Sequence, residues 1–330
     1  MKLGMLMNTQ FRQGTDARAV VPQMIEQVRV AKDSGFCSLW FPQHYLTAPM
    51  QMFQMSAMMP YLLREAEGMT IGGDILILPM FNPVFVAEDA AALDVLSGGK
   101  FVLGVGLGYR DVEFEAFNVP LSERVPRMVE GIHLIRRLWR EDRITHAGKH
   151  FRVTDSGIGL KPLQPGGPPI WMAGHVDAAV RRVGRIGDAW LIVPSVSFDQ
   201  IVPAMKVYRE SLAEHGKQPT EFPITREVYV GTSQAGAMQE CIEHLKFKYA
   251  TYATWGQRVQ QDKPAADAFE EFARGRFIIG DSSFVKEEII RYREAFGVNH
   301  FIGRMHWPGM PQELTLRSIR LLGRMFAEGF

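Results

Sequence analysis

The sequence predicts a single-domain α/β protein, a (β/α)8 TIM barrel spanning residues 1–330 with an insertion after its seventh strand. Three observations carry this. Short apolar, β-rich runs alternate with longer amphipathic stretches along the whole chain, eight times over. The strand runs are apolar almost throughout, as expected of a parallel sheet covered by helices. No flexible linker divides the 330 residues, and barrels of this length are common. An open doubly wound sheet is the alternative, but it rarely uses so many units.

Taken in order, 2–7 is the first strand, and 16–34 a helix with Val20, Met24, Val28 and Ala31 on one face. Gly35 ends that helix and 36–41 is the second strand. A helix over 52–65 leads to the third strand, 69–78, closed by Pro79, and 84–96 is helical. The fourth strand opens at Phe101 and becomes glycine at alternate positions (Gly104, Gly106, Gly108) before a polar loop ending at Asn118. A long helix covers 122–140, with Val125, Val129, Ile132, Ile135 and Trp139 facing inward, and 141–169 is irregular. Strand five is 169–173 with a helix over 175–186; strand six is 188–193 with a helix over 199–215; strand seven is 224–230. A long mixed segment, 233–274, precedes the helix 283–296, strand eight at 299–306 and a last helix over 311–327.

Glycine at every second position leaves one face of a strand bare, so that a ligand or a neighbouring backbone can approach; simple relief of packing is the competing reading. A dinucleotide fingerprint is rejected, because its third glycine falls on Tyr109 and no helix starts directly afterwards. Hydrophobic content of 46%, charged content of 22% and a net charge of +1 argue against nucleic acid or an anionic membrane as the main partner. The two cysteines, Cys37 and Cys241, lie far apart in apolar surroundings and read as buried small hydrophobes. No signal peptide is evident and no apolar run nears the ~20 residues a spanning helix needs, so the chain is expected in the cytoplasm. Of 18 methionines, several cluster in 50–59, where they fill core space or line an apolar pocket.

Barrel chemistry belongs at the C-terminal ends of the strands. Those ends carry Asn8, Gln43-His44-Tyr45, Gly108-Tyr109-Arg110, Gly174-His175, Pro194-Ser195 and His306-Trp307. The set is poor in carboxylates and has no metal-ligand spacing. Glycine, aromatic and neutral hydrogen-bonding groups suit a flat organic cofactor that brings its own chemistry.

GFCSLWFPQHY at 35–45, ILILPMFNPVFVAEDAAALDVLSGGKFVLGVGLGYRDVEFEAFN at 75–118 and PPIWMAGHVDAAVRRVGRIGDAWL at 168–191 carry a resemblance. Through them the chain resembles, over nearly its whole length, the bacterial-luciferase-like flavin-dependent monooxygenases and oxidoreductases. The resemblance implies that His44 is the active-site histidine beside the flavin, stabilising a flavin–oxygen adduct or taking a proton from substrate. The family pattern there is usually Glu-His-His; here it is Gln43-His44-Tyr45, which removes an acid. A histidine merely hydrogen-bonded at a strand end is the competing reading. Asp74-Ile75 falls at the bulge in strand three, often a non-proline cis peptide supporting the flavin ring. Leu107 occupies a position that is arginine in luciferase, so that charge is missing. Gly108 is among the residues implied to bind the cofactor, and Tyr109 and Arg110 are placed to close over the ring edge or hold a carbonyl. Ala173, Gly174, His175 and Val176 form the turn implied to hold the cofactor phosphate at a helix start. Arg124 and Arg127 are candidates for extra positive charge near it.

The resemblance further implies reduced FMN, supplied by a separate flavin reductase, and oxygen to oxidise a small, mostly apolar substrate. Hydride transfer with F420 is the alternative, and a non-catalytic flavin-binding barrel a third possibility. A homodimer is expected through an apolar face made of Met52, Met55, Met58 and Met59, with 249–273 as a mobile lid.

Overall fold

The computed structural model describes residues 1–256, 269 and 271–329. Its first half runs β1 (Lys2–Leu6), β2 (Gln10–Phe11), α1 (Ala17–Asp33), β3 (Ser38–Phe41), β4 (Gln51–Met52) and α2 (Met55–Leu62). β5 (Thr70–Gly73), β6 (Leu76–Ile77), α3 (Pro83–Leu96), β7 (Phe101–Gly106), α4 (Asp111–Ala116) and α5 (Arg124–Arg140) follow. Then come the hairpin β8 (Ile144–Ala147) and β9 (Arg152–Ser156), β10 (Ile170–Ala173), α6 (Asp177–Ile186), β11 (Ala189–Leu191) and α7 (Phe198–Glu214). The rest is β12 (Pro223–Val230), α8 (Gln234–Thr254), β13 (Phe277–Gly280), α9 (Ser282–Phe296), β14 (His300–Arg304) and α10 (Gln312–Glu328).

One parallel sheet organises these elements, in the order β11-β10-β7-β5-β3-β1-β14-β12-β13, with β6 pairing on β7 beside the path. The strands near its two ends are brought together by a bridge between Ile192 and Ile224, and the Thr225 amide donates to the Ile192 carbonyl at 2.8 Å. The sheet therefore curls into a TIM-barrel-like form with helices outside. α1 buries Val20, Met24, Val28 and Ala31, the face its periodicity predicts. Side chains fill the interior at the strands' N-terminal ends: Trp40 and Trp171 stack at 4.8 Å and 20°, and His300 meets both edge-on. His300 Nε2 lies 2.7 Å from Ser38 Oγ, and Glu221 takes the other ring nitrogen at 3.3 Å, so this layer is polar yet partnered. Among the described residues, no helix is long and apolar enough to cross a membrane.

Strand three is not continuous. A cis peptide joins Asp74 to Ile75, as the resemblance implies, and splits the run into β5 and β6. The detour pushes the Gly73 carbonyl at β7, where a Cβ on residue 104 would sit 1.8 Å from that oxygen. The bare face of the glycine-rich strand is thus occupied by the protein itself, by the Gly73 backbone at Gly104 and by the Ile75 side chain at Gly106.

Other expectations are corrected. The 107–118 stretch is no loop, since α4 forms there. The irregular 141–169 segment contains an antiparallel hairpin, β8–β9. Much of 233–274 is α8, whose buried face is Ala237, Cys241, Leu245, Lys248, Tyr249 and Tyr252. A lysine, two tyrosines and a cysteine on the inner face hide its apolar period. β13 also escaped notice and pairs with β12. Cys37, the residue just before β3, is exposed, while Cys241 is buried. Met55, Met58 and Met59 lie in the core, 7%, 4% and 2% exposed, and of the four methionines expected to form an apolar outer face Met52 is half-buried.

Replacing Gly104 with alanine would set a methyl against the Gly73 carbonyl. The expected result is a loss of about 3 kcal/mol or more, read by urea denaturation; a variant of wild-type stability would show that the two strands can separate freely.

Candidate active site

The sequence-predicted residues come from the ends of four neighbouring strands: His44 after β3, Asp74 and Ile75 between β5 and β6, Leu107 to Tyr109 after β7, and Ala173 to Val176 after β10. Of these, His44 meets a buried carboxylate. Its Nδ1 lies 3.1 Å from Oε1 of Glu113, which is fully buried. The same oxygen accepts from the Tyr45 amide at 2.8 Å and from Arg110 Nη1 at 3.0 Å. Burial alone would push the Glu113 carboxyl up; hydrogen bonds from His44 and Tyr45 and the Arg110 charge outweigh it and hold the carboxyl below its usual range. Glu113 is therefore an ionised anchor. The acid missing beside His44 in sequence is supplied from a different loop.

Arg110 is spent on that anchor. It donates to the Tyr45 and Leu46 carbonyls as well as to Glu113, and its guanidinium lies 4.3 Å from the Trp255 ring. Three aromatic rings meet His44: Tyr109 edge-on at 5.7 Å, Tyr252 edge-on at 5.7 Å and Trp255 tilted at 5.4 Å. Tyr252 and Trp255 belong to α8 and the turn after it, so the segment expected to be a lid roofs the histidine where it is described; 257–268 and 270 lie outside the described residues.

Several predicted residues turn out to brace the site. Gln43 accepts from the Ile77 amide at 2.9 Å and so ties β3 to the broken strand. Asp74 accepts from Thr225 Oγ1 across the sheet at 2.6 Å, and burial pushes its carboxyl up despite that bond and the nearby Arg304. Ile75 fills the space beside Gly106, and Gly108, at φ +72°, admits Ile77 and Phe114 closer than any side chain would. Leu107 is half-buried against the core. Gly174 packs on Ala179, so a Cβ there would clash at 2.8 Å; a bulkier residue would disturb the protein before any ligand. Ala173 is half-buried, whereas His175 and Val176 are exposed at the start of α6, whose first turn has no side-chain cap. Arg127 stays away from that turn: it donates to the Pro79 carbonyl and lies over Phe151.

At the end of β14, His306 is held neutral. Burial brings it down to about 4, between Asn8 and the Met310 carbonyl. Behind the roof, Glu227 accepts from Lys248, Tyr249 and Trp307. Burial and the Arg304 guanidinium bring Lys248 down to about 7, while Lys248 and Arg304 together keep Glu227 ionised against its own burial. Among the described residues, no group of three or more metal-ligating side chains is placed to hold a metal ion. A cavity of about 300 Å³ lies at the opposite, N-terminal end of the strands, beside His300 and Glu221, the face of a barrel that serves stability.

Glu113, Tyr252 and Trp255 were not singled out from the sequence. The Arg110–Glu113 spacing of three is a legible helix pair, but nothing local says that Glu113 turns toward the end of β3.

Comparison with known proteins shows the family and the fold. The family model described as luciferase-like monooxygenase matches residues 1–300, and the chain belongs to that family. An F420-dependent glucose-6-phosphate dehydrogenase of Amycolatopsis mediterranei is 26% identical over 335 residues, covering 93% of this chain and 95% of the relative. Two solved structures share the fold. One is the oxygenating constituent of 3,6-diketocamphane monooxygenase from the CAM plasmid of Pseudomonas putida, in complex with FMN (TM-score 0.79, 17% identity, 99% and 98% coverage). The other is an F420-dependent secondary alcohol dehydrogenase with an F420–acetone adduct (TM-score 0.79, 20% identity, 98% and 97% coverage). The class defined is that of luciferase-like oxidoreductases.

Two outcomes test the anchor. Glu113→Ala strands Arg110 and His44 and should cost about 3 kcal/mol. Because the folded Glu113 value lies below the unfolded one, its contribution is complete above the unfolded value of 4.5 and is lost as pH falls through the folded value. Glu113→Gln should therefore flatten the acid limb of the stability curve below that pH; an unchanged limb would mean Glu113 is not ionised in the fold.

Proposed function

We propose that this chain is a flavin-dependent monooxygenase that uses reduced FMN and molecular oxygen to oxidise a small, mostly apolar organic substrate. It does so at the C-terminal ends of an eight-unit barrel, a closure supported by the Ile192–Ile224 bridge, with 231–276 as the insertion. The observation that carries the reading is the state of His44. Its Nδ1 is fixed by an ionised carboxylate and its ring is walled by aromatics. Among the described residues its Nε2 has no hydrogen-bond partner, which leaves that nitrogen for chemistry.

The residues fit a flat cofactor. The buried Gln54 carbonyl oxygen has no partner in the protein, and the uncapped start of α6 suits a phosphate. Bound there, reduced FMN would supply the electrons and activate oxygen, and a separate reductase would deliver it. The chain's own part is to exclude water with Tyr252 and Trp255 and to give or take a proton at His44 Nε2 beside the reacting oxygen. Glu113 offsets the imidazolium charge as it forms.

A second reading, hydride transfer with F420, is supported by the dehydrogenase relative that matches 93% of this chain. There the same histidine would take the proton of an alcohol. Titration of the chain with FMN and with F420, then air-dependent oxidation of reduced FMN coupled to product formation, separates the readings. Anaerobic loss of F420 colour with an alcohol panel, and no turnover with reduced FMN, would replace the first reading by the second. His44→Ala should lower turnover by about 10²-fold with cofactor affinity unchanged. His44→Asn should rescue little where proton transfer matters; wild-type turnover in both variants would make His44 structural.

A further inference from the structure

Tyr109 carries a buried hydroxyl with no hydrogen-bond partner in the protein. Buried O–H groups nearly always find one, so an orphan needs a cause. Burial, with Tyr252 and Glu113 close by, pushes the phenol further above its usual range, so the group remains a donor at any physiological pH. At the His44 main chain, Gln54 donates its amide to the His44 carbonyl at 2.9 Å while its own oxygen is buried and unpartnered.

The surroundings restrict what could meet them. Tyr252 and Trp255 stack at 5.0 Å and 26°, and both rings reach His44. Ring faces and edges receive a flat conjugated body better than a branched aliphatic one. Arg110 and Glu113 offset each other's charge at 3.0 Å, so the wall carries no net charge to attract a carboxylate, although Arg110 Nε and Glu113 Oε2 are themselves buried without partners. The complement is an uncharged oxygen on a flat ring system.

We propose that Tyr109 is the substrate-positioning residue, its hydroxyl donating to the carbonyl or phenolic oxygen of a flat, conjugated substrate that packs against Trp255 beside His44. This deepens, and rests on, the reading of the His44 cluster as an active site.

Acetophenone, ethylbenzene and cyclohexyl methyl ketone, titrated calorimetrically into the whole chain with oxidised FMN present, test it without turnover. Wild type should bind acetophenone more tightly than ethylbenzene, which lacks the oxygen, and than the cyclohexyl ketone, which is not flat. Tyr109→Phe should weaken acetophenone about tenfold and leave ethylbenzene unchanged. Because the hydroxyl has no internal partner, Tyr109→Phe should keep the wild-type melting temperature. Equal binding of acetophenone by both proteins, no binding of it by wild type, or a destabilised Tyr109→Phe would each overturn the proposal. The same samples report FMN affinity, and failure to bind FMN would remove the monooxygenase reading while ketone selectivity stood.

Discussion

A single oxygen atom, Oε1 of Glu113, gathers the candidate site. It takes hydrogen bonds from the His44 ring, the Tyr45 amide and the Arg110 guanidinium, three groups drawn from two loops. A buried carboxylate is tolerated only when its charge is met, and here Oε1 carries all three bonds while the buried Oε2 has no partner. Meeting that demand locks the turn after β3 to the start of α4 and selects which histidine nitrogen faces the anchor. The orientation of His44 is a consequence of a charge that could not be left alone.

The site also depends on a strand that breaks. Between β5 and β6 the chain leaves the ladder, and three devices hold it there: Gln43 accepts from Ile77, Asp74 reaches Thr225 across the sheet, and Gly104 gives the Gly73 carbonyl room. Each is a local oddity in sequence terms: an amide after a strand, an acid inside one, glycine at alternate positions. Together they describe one irregularity that aims backbone at the mouth of the sheet.

The roof has its own foundation. Lys248 and Tyr249 bond Glu227 on β12, and Tyr252 donates to Gln10 at 2.9 Å, so the buried face of α8 is tied to the sheet by polar bonds. That leaves Tyr252 and Trp255 held over His44 rather than resting on it. Relatives that use FMN and relatives that use F420 share this fold, which is why the site, and not the fold, must carry the functional argument.

The sequence by itself determined the class of fold. Apolar runs and amphipathic helices report burial directly, so the parallel sheet, the inward face of α1 and the residues at the strand ends were all legible, and the luciferase-like motifs lay in contiguous stretches. α8 was not legible, because its inner face is polar and is satisfied by groups on β12 and beyond. The glycines of β7 could be read as room for a ligand or as relief of packing, and only the path of the chain from β5 to β6 showed that Gly73 and Ile75 take that room. Above all, the partner of His44 had to come from 69 residues away. Local sequence encodes period and turn chemistry; it does not encode which distant carboxylate a folded chain will bury beside a histidine, because that pairing exists only once the sheet has brought the two loops together.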